Sequence, residues 1–585
     1  MAFHQSSPLL RSAVGSTKSR LTRFVRIDAH LCGSKQVHLH GQISMGLDHQ
    51  QGKQAVAWFR NDLRIDDNPT LVHATEPSRK IEQVLPVYCF DPRHYERTKY
   101  GTQKTGIYRA RFLIESVLDL RKSLEESGSG LYVALGKPED VLPKLMQEGF
   151  TSSNPIELVL QEEVTSEELA IDKAVENCIQ DLKEVDLSVT RIWGHTLYHP
   201  RDLPMTITQT SSSFTPWRKK VEDKQTKIRK AFPAKAIKER LGNLKVPELE
   251  KAVDMKAGFD FIPTLQDLGF SEEELVADSR SAMTFLGGET EGLKRVKHYL
   301  WDSNSVATYF ETRNGMIGPD YSTKFSPWLA YGCISPRRIY SELQKYEGQR
   351  VKNKSTYWVV FELMWRDYFR FNFLKNGSKI FQTYGLQGAK NRDIGQEWRE
   401  NEELFQRWVE GKTGWPLVDA NMRELAATGW MSNRGRQNVG SFLCLDLQLD
   451  WRKGAYYFEE KLLDYDVCSN WGNWHAIAGL SGGRINRFNI VKQSKDYDPE
   501  GEYIRQWLPE LKSVPAPMIH EPWKMSKADQ QKYGAILGSD YPFPVQINKF
   551  RPQQPNSQQN KQKRNPNNKN KEHRNNRNNR KTVAR

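Results

Sequence analysis

Six cysteines are spread over 585 residues (Cys32, Cys89, Cys178, Cys333, Cys444, Cys468), with no Cys-x-x-Cys pair and no Cys/His cluster at metal-ligand spacing. That argues against a disulfide framework and against structural zinc, and no metal site is expected. Long apolar runs are missing too: nothing approaches the ~20 residues that span a bilayer, so no membrane partner is expected. Acids are scarce at both ends. Residues 1–54 hold seven Lys/Arg against two acids and residues 551–585 eleven against one, which accounts for the whole net charge of +15. The body between them is neutral, so any polyanion site on it must be a local patch. Finally, no GxGxxG follows the first strand-like run, where WFRNDLRIDDNPTL stands instead. An ordinary dinucleotide site at that turn is not supported.

The chain is too long for one hydrophobic core. From Gln54, the runs QAVAWFR, VLPVYCF, GLYVALG, IELVLQE and SVTRIWG read as strands separated by amphipathic stretches such as RFLIESVLDLRKSLEES and SEELAIDKAVENCIQ. This predicts a doubly wound α/β N-terminal domain over 54–195 with a mainly parallel sheet. Residues 196–270, with six prolines and the basic run RKKVEDKQTKIRK, read as a long interdomain linker. Helical periodicity then dominates 271–515, predicting an all-α C-terminal domain, and 516–585 form a C-terminal extension, basic and Asn-rich from 551. That tail is expected to be disordered, either a flexible arm that holds phosphates or a solubilising spacer. Residues 1–53, Arg- and Ser-rich and acid-poor, suit an organelle transit peptide; the alternative is a disordered extension without an address.

The most informative stretch is Asn421 to Trp474. Apolar residues at helical spacing (Met422, Leu425, Ala426; Val439, Phe442, Leu443; Phe458, Leu462) predict three helices. Asn433, Arg434, Arg436 and Gln437 interrupt the first two, and Asp464, Asp466 and Asn470 follow the third. Buried polar groups need partners, and a flat ring with donors and acceptors along one edge, such as a flavin, would supply them. The plainer alternative is a solvated helix junction. Upstream, YSTKFSPWLAYGCISP offers Ser322, Thr323, Lys324, Phe325 and Ser326 as a pyrophosphate-holding loop before a helix, or as a simple cap. YWVVFELMWRDYFRFNF carries Glu362, Trp365, Arg366 and Asp367 on an apolar-aromatic helix, where a carboxylate and ring faces could hold a nucleobase.

With these motifs in order, the chain resembles the photolyase/cryptochrome family, most closely its DASH branch, from about Val56 to Glu510. The segments WFRNDLRIDDNP, FELMWRDYFR, KTGWPLVDANMRELAATGWMSNRGRQNVGSF and DYDVCSNWGNW carry the likeness. The resemblance implies FAD held by Tyr309, the Ser322–Ser326 loop, Arg366, Arg436, Asp464, Asp466 and Asn470, with Arg436 paired to Asp464. It implies electron transfer through Trp474, Trp451 and Trp398, and a methenyltetrahydrofolate antenna for which Glu163 is the candidate contact. Any one of these tryptophans could equally be core packing, and Glu163 an exposed acid at a helix start.

Repairing members split pyrimidine dimers in DNA by light-driven electron transfer; Glu362, Asn433, Trp365 and Gln437 match the lesion-facing positions and Arg434 the phosphate contact. Gln437 resembles the DASH choice. Ala476 departs from the family, standing where a second aromatic wall is usual, and loss of one stacking face weakens base holding by about 1–3 kcal/mol. The expectation is a blue-light flavoprotein acting on dimers in single-stranded DNA, where flipping costs least. The alternative is a blue-light photoreceptor without repair, signalling through a protein partner or its tail. The expected location is chloroplast or mitochondrion, with cytoplasm or nucleus as the alternative.

Overall fold

The computed structural model describes residues 52–547 apart from 151–153, 183–185, 250–255, 272–274, 276, 388–397, 482–484 and 486, together with a short strand at 37–38. The rest of the expected targeting segment, and the basic tail, lie outside the described residues. Seven strands form one sheet: β1 (Val37–His38), β2 (Lys53–Phe59), β3 (Ile81–Phe90), β4 (Tyr132–Leu135), β5 (Ile156–Gln161), β6 (Leu187–Ile192) and β7 (Ala257–Gly258), in the order β1-β6-β5-β2-β3-β4-β7. The five central strands are mutually parallel, and only the edge strands β1 and β7 run antiparallel. These five are the runs expected from the sequence.

Strand alternation sorts the side chains onto two faces. Val56 and Trp58 of β2 join a core with α3 (Pro138–Glu148) and α4 (Ser166–Gln180). Ala55, Ala57 and Phe59 join the core that includes α1 (Pro69–Ala74) and α2 (Ile107–Glu125) and continues into the helical domain. The stretch 196–270 is more than a wrap. It forms α5 (Phe214–Asp223), which buries Phe214, Trp217 and Val221, then α6 (Ala234–Leu241), and it supplies β7. The spacing of those three apolar residues is helical, but the basic residues around them mask it.

The helical domain holds α7 (Glu289–Lys297), α8 (Tyr309–Thr312), α9 (Ser326–Ala330), α10 (Pro336–Gln349), α11 (Lys354–Asn376), α12 (Glu402–Val409), α13 (Pro416–Thr428), α14 (Asn433–Ser441), α15 (Trp451–Lys461), α16 (Val467–Ile477), α17 (Ile490–Tyr497) and α18 (Glu502–Trp507). Beyond α18, residues of the C-terminal extension lie back on this body, with the Tyr541 hydroxyl donating to buried Asp419 at 2.6 Å. Among the described residues no helix is long and apolar enough to cross a membrane.

The WFRNDLRIDDNPTL turn has a use other than nucleotide binding: it fastens the two domains. Arg64 is buried and donates to Gly332 O at 2.8 Å. Glu289 accepts the backbone N–H groups of Ile65 and Asp66, both at 2.8 Å. Asp66 pairs with Arg338 (2.6 Å) and Asp67 with Arg337 (2.9 Å). On the other side of the sheet's end, Asp367 of α11 accepts from the backbone of Leu197 (3.0 Å) and Tyr198 (2.8 Å).

Candidate functional site

A cavity of about 800 Å³ opens in the helical domain, a size typical of ligand pockets. Helix α11 forms its longest wall. Asn353 caps that helix by accepting from the N–H of Ser355 and Thr356. Trp358, Phe361, Glu362, Trp365, Arg366 and Phe369 then recur at three- and four-residue steps and all line the cavity. Ser432 caps α14, placing Asn433, Arg436 and Gln437 in its first two turns. These residues are therefore helical, which corrects the expectation from the sequence that they interrupt the first two helices. Asp466 caps α16, which presents Asn470, Asn473, Trp474 and Ile477 to the cavity. Tyr309 and the segment from Ser322 to Ser326 close another side.

The polar groups are arranged, not merely present. Arg436 Nη2 donates to Asp464 Oδ2 at 2.9 Å and its Nε to Met431 O at 2.9 Å. Asp464 Oδ1 is buried without a partner. A buried carboxylate oxygen is costly when unpaired, so it marks where a ligand N–H belongs. Asn470 Nδ2 donates to Ala455 O at 3.0 Å, which leaves its amide oxygen as the acceptor end. Burial would raise the pKa of Asp466, but Arg366 and Arg370 outweigh it and hold the carboxylate below its usual range. Arg366 is anchored on the carbonyls of His195 and Leu329. A flat heterocycle with donors along one edge fits this set.

Glu362 Oε1 accepts from Trp358 Nε1 at 3.1 Å and from Arg313 Nη1 at 3.4 Å. Burial raises its pKa, opposed by Arg313 and the indole N–H, although 37% of the side chain faces open space. Trp365 stacks on Phe214 at 3.8 Å with the rings 13° apart, so the connector backs one face of this tryptophan. Ala476 lines the cavity and leaves its wall without a ring at that position.

Several expected residues have partners that the sequence does not announce, and two of them, Lys324 and Trp474, line the cavity. Lys324 was expected to present an ammonium to a pyrophosphate. Its Nζ instead lies 3.3 Å from the centroid of Tyr321 and donates to Gly318 O, and burial lowers its pKa to about 6. Glu163 is neither exposed nor on a helix: it is 4% exposed, pairs with Arg370 and His195, and accepts from Asn61. Arg434 does not line the cavity itself; it lies over the ring of Tyr497 at 4.5 Å and donates to Asn314 and to Gln437, which does line it. Trp474 lines the cavity, with Trp408 at 6.3 Å and Phe458 at 5.0 Å. Trp451 is buried and meets Trp471 at 5.6 Å. Trp398 is half-buried with an unpartnered Nε1. Phe214, Arg313, Trp358 and Phe369 were not singled out from the sequence; the two on α11, Trp358 and Phe369, fall on the helical spacing of Glu362 and Trp365 and were legible from it, whereas Phe214 and Arg313 come from other elements.

Two family models match the chain: DNA photolyase over residues 55–237 and the FAD binding domain of DNA photolyase over 358–559. The chain is 48% identical to a protein of Gloeobacter violaceus named Cryptochrome DASH, covering 84% of this chain and 93% of that one. It is 47% identical to one of Ostreococcus tauri named Cryptochrome DASH, chloroplastic/mitochondrial, with 84% and 89% covered. The solved structure of a Synechocystis cryptochrome superposes with a TM-score of 0.76 at 44% identity, covering 86% of this chain and 97% of that one. An FAD-binding fold of this shape, a cavity whose polar residues fit a flavin edge, and likeness over most of the chain lead to one conclusion: the protein belongs to the photolyase/cryptochrome family and is an FAD flavoprotein of the DASH cryptochrome type.

Proposed function

We propose that this flavoprotein binds DNA at the mouth of the cavity and, under blue light, splits cyclobutane pyrimidine dimers in single strands. FAD would be held by Tyr309, the backbone and hydroxyls of Ser322, Thr323, Phe325 and Ser326, and by Arg366, Arg436, Asp464, Asp466 and Asn470. When bound, it supplies light absorption and one-electron chemistry. The chain's own residues do the rest. Glu362 offers a carboxyl group to the base edge, Asn433 and Gln437 flank the entrance, and Trp365, stiffened by Phe214, offers a stacking face. The observation that carries this reading is that Glu362 and Trp365 lie on the same helix face as Arg366, so substrate and flavin positions share one cavity.

Ala476 supports a narrower substrate range. With one wall missing, a base already unpaired is favoured over one that must be pulled from a duplex. Trp474 at the cavity, with Trp451 and Trp398 behind it, would carry electrons inward from the surface. Methenyltetrahydrofolate is the proposed antenna, with Glu163, already paired to Arg370 and His195, as the candidate contact. The first fifty residues are proposed as a transit peptide, as the names of the Ostreococcus tauri and Arabidopsis thaliana relatives suggest.

Ala476 also favours a second reading, a photoreceptor that has lost repair and signals through a protein partner. Blue-light turnover of a dimer-containing single-stranded oligonucleotide by reduced, flavin-loaded protein separates the two. Repair establishes the lyase; no repair by protein that still binds FAD and photoreduces leaves the receptor.

A further inference from the structure

Arg313 and Glu362 are bound to each other at the cavity mouth by a long contact of 3.4 Å. Arg313 follows directly on α8, lies over the rings of Trp358 (4.9 Å) and Phe310 (5.7 Å), and is 22% exposed. Its Nε is buried and has no partner. The guanidinium therefore uses one weak contact where its fork can make two short parallel ones to a phosphate. Glu362 Oε1 has a second, shorter donor in the Trp358 indole N–H at 3.1 Å.

We infer that Arg313 is a displaceable counter-ion: a strand phosphate at the rim draws it off Glu362, and the carboxylate, covered by the incoming base, takes one proton from solvent. The step is a simple protonation, COO⁻ to COOH, with water as the source and no redox change. Its product is useful, because a neutral carboxyl can donate to a base carbonyl whereas a carboxylate can only accept. Besides Arg313, the groups facing Glu362 are Tyr309 from α8 and, on α11 itself, Trp358; Arg434 on α14 acts on Arg313 by repulsion. Burial already pushes Glu362 above the usual carboxylate range, and Arg313 is the main opposing charge. Removing that charge moves the carboxyl further up. Arg313 is thus a positioning residue that switches the protonation of Glu362 when a strand arrives.

The inference rests on the strand-binding reading above, and one experiment tests both separately. Full-length flavin-loaded protein is titrated calorimetrically with a dimer-containing single-stranded oligonucleotide near pH 7, in buffers of different ionisation enthalpy. The expected result is proton uptake approaching about one per strand bound, absent in Glu362→Gln. Arg313→Gln should bind more weakly and take up less at the same pH, because its Glu362, freed of the opposing charge, starts closer to the protonated form. An infrared carboxyl C=O band should appear on strand binding in the wild type, grow less on binding in Arg313→Gln, and be missing in Glu362→Gln. Strand binding with no proton uptake, or with equal uptake in Glu362→Gln, overturns the inference and leaves the strand-binding reading intact. Absence of strand binding overturns both.

Discussion

Replacing Phe214 tests whether the connector is part of the cavity. The side chain is 4% exposed and stacked on Trp365, with Trp217 at 5.9 Å and Tyr368 at 5.6 Å around it. Truncation of a buried Phe to Ala costs about 3–5 kcal/mol, a large part of the 5–15 kcal/mol by which most domains are stable. The stacking geometry itself accounts for about 0.5–1.5 kcal/mol of that. Phe214→Leu keeps most of the volume and should cost less than about 1.5 kcal/mol, so it folds while removing the backing ring. A loosened Trp365 then loses part of its base-stacking contribution of about 1–3 kcal/mol, which weakens strand binding up to about 5- to 150-fold. Urea unfolding followed by tryptophan fluorescence, together with fluorescence anisotropy of a labelled single strand, measures both effects. If Phe214→Ala shifts stability by less than 1 kcal/mol, or Phe214→Leu binds the strand as the wild type does, the connector is only a linker and the argument fails.

Other outcomes follow from the same geometry. Burial raises Glu424 to about 8 against the Tyr503 hydroxyl, Lys324 and Arg436. The folded state therefore holds a proton that the unfolded state releases, and stability declines as pH rises from the ordinary carboxylate range towards 8. Glu424→Gln should flatten that slope in pH-dependent urea melts; an unchanged slope means another group sets it. Trp474→Phe should slow photoreduction of oxidised FAD, followed by absorbance under blue light, and normal photoreduction removes Trp474 from the path. Deleting residues 551–585, which carry eleven Lys/Arg against one acid, should weaken DNA binding and flatten its salt dependence by about 0.7 per lost phosphate contact on single strands. An identical salt slope marks the tail as a spacer. A fluorescent reporter fused to residues 1–54 should enter an organelle, whereas diffuse fluorescence rules out the transit peptide.

The five parallel strands were legible because each is a short β-branched or aromatic run bounded by turn residues, and the sheet's two buried faces follow from their alternation. The cavity wall on α11 was legible because its polar residues break an apolar helix at fixed spacing. The surroundings of Glu163 and Lys324 were not. Glu163 meets His195 and Arg370, which lie 32 and 207 residues away, and no local pattern announces such partners. Lys324 reads as a solvent-facing charge only while its burial is unknown. Phe214 was hidden for a third reason: its helix is surrounded by prolines and basic residues, so packing and not propensity decides it.

The ties across the domain boundary limit how this molecule can report light. Asp66, Asp67 and Glu289 each bind the opposite domain through short, largely buried contacts, and Asp367 holds the start of the connector. Breaking such pairs costs several kcal/mol each, so the two domains do not hinge as separate lobes. A message, if one is sent, has to leave as a local change at the cavity rim or along the C-terminal extension that lies against α13. A partner would therefore read a patch of surface, not a change of overall shape.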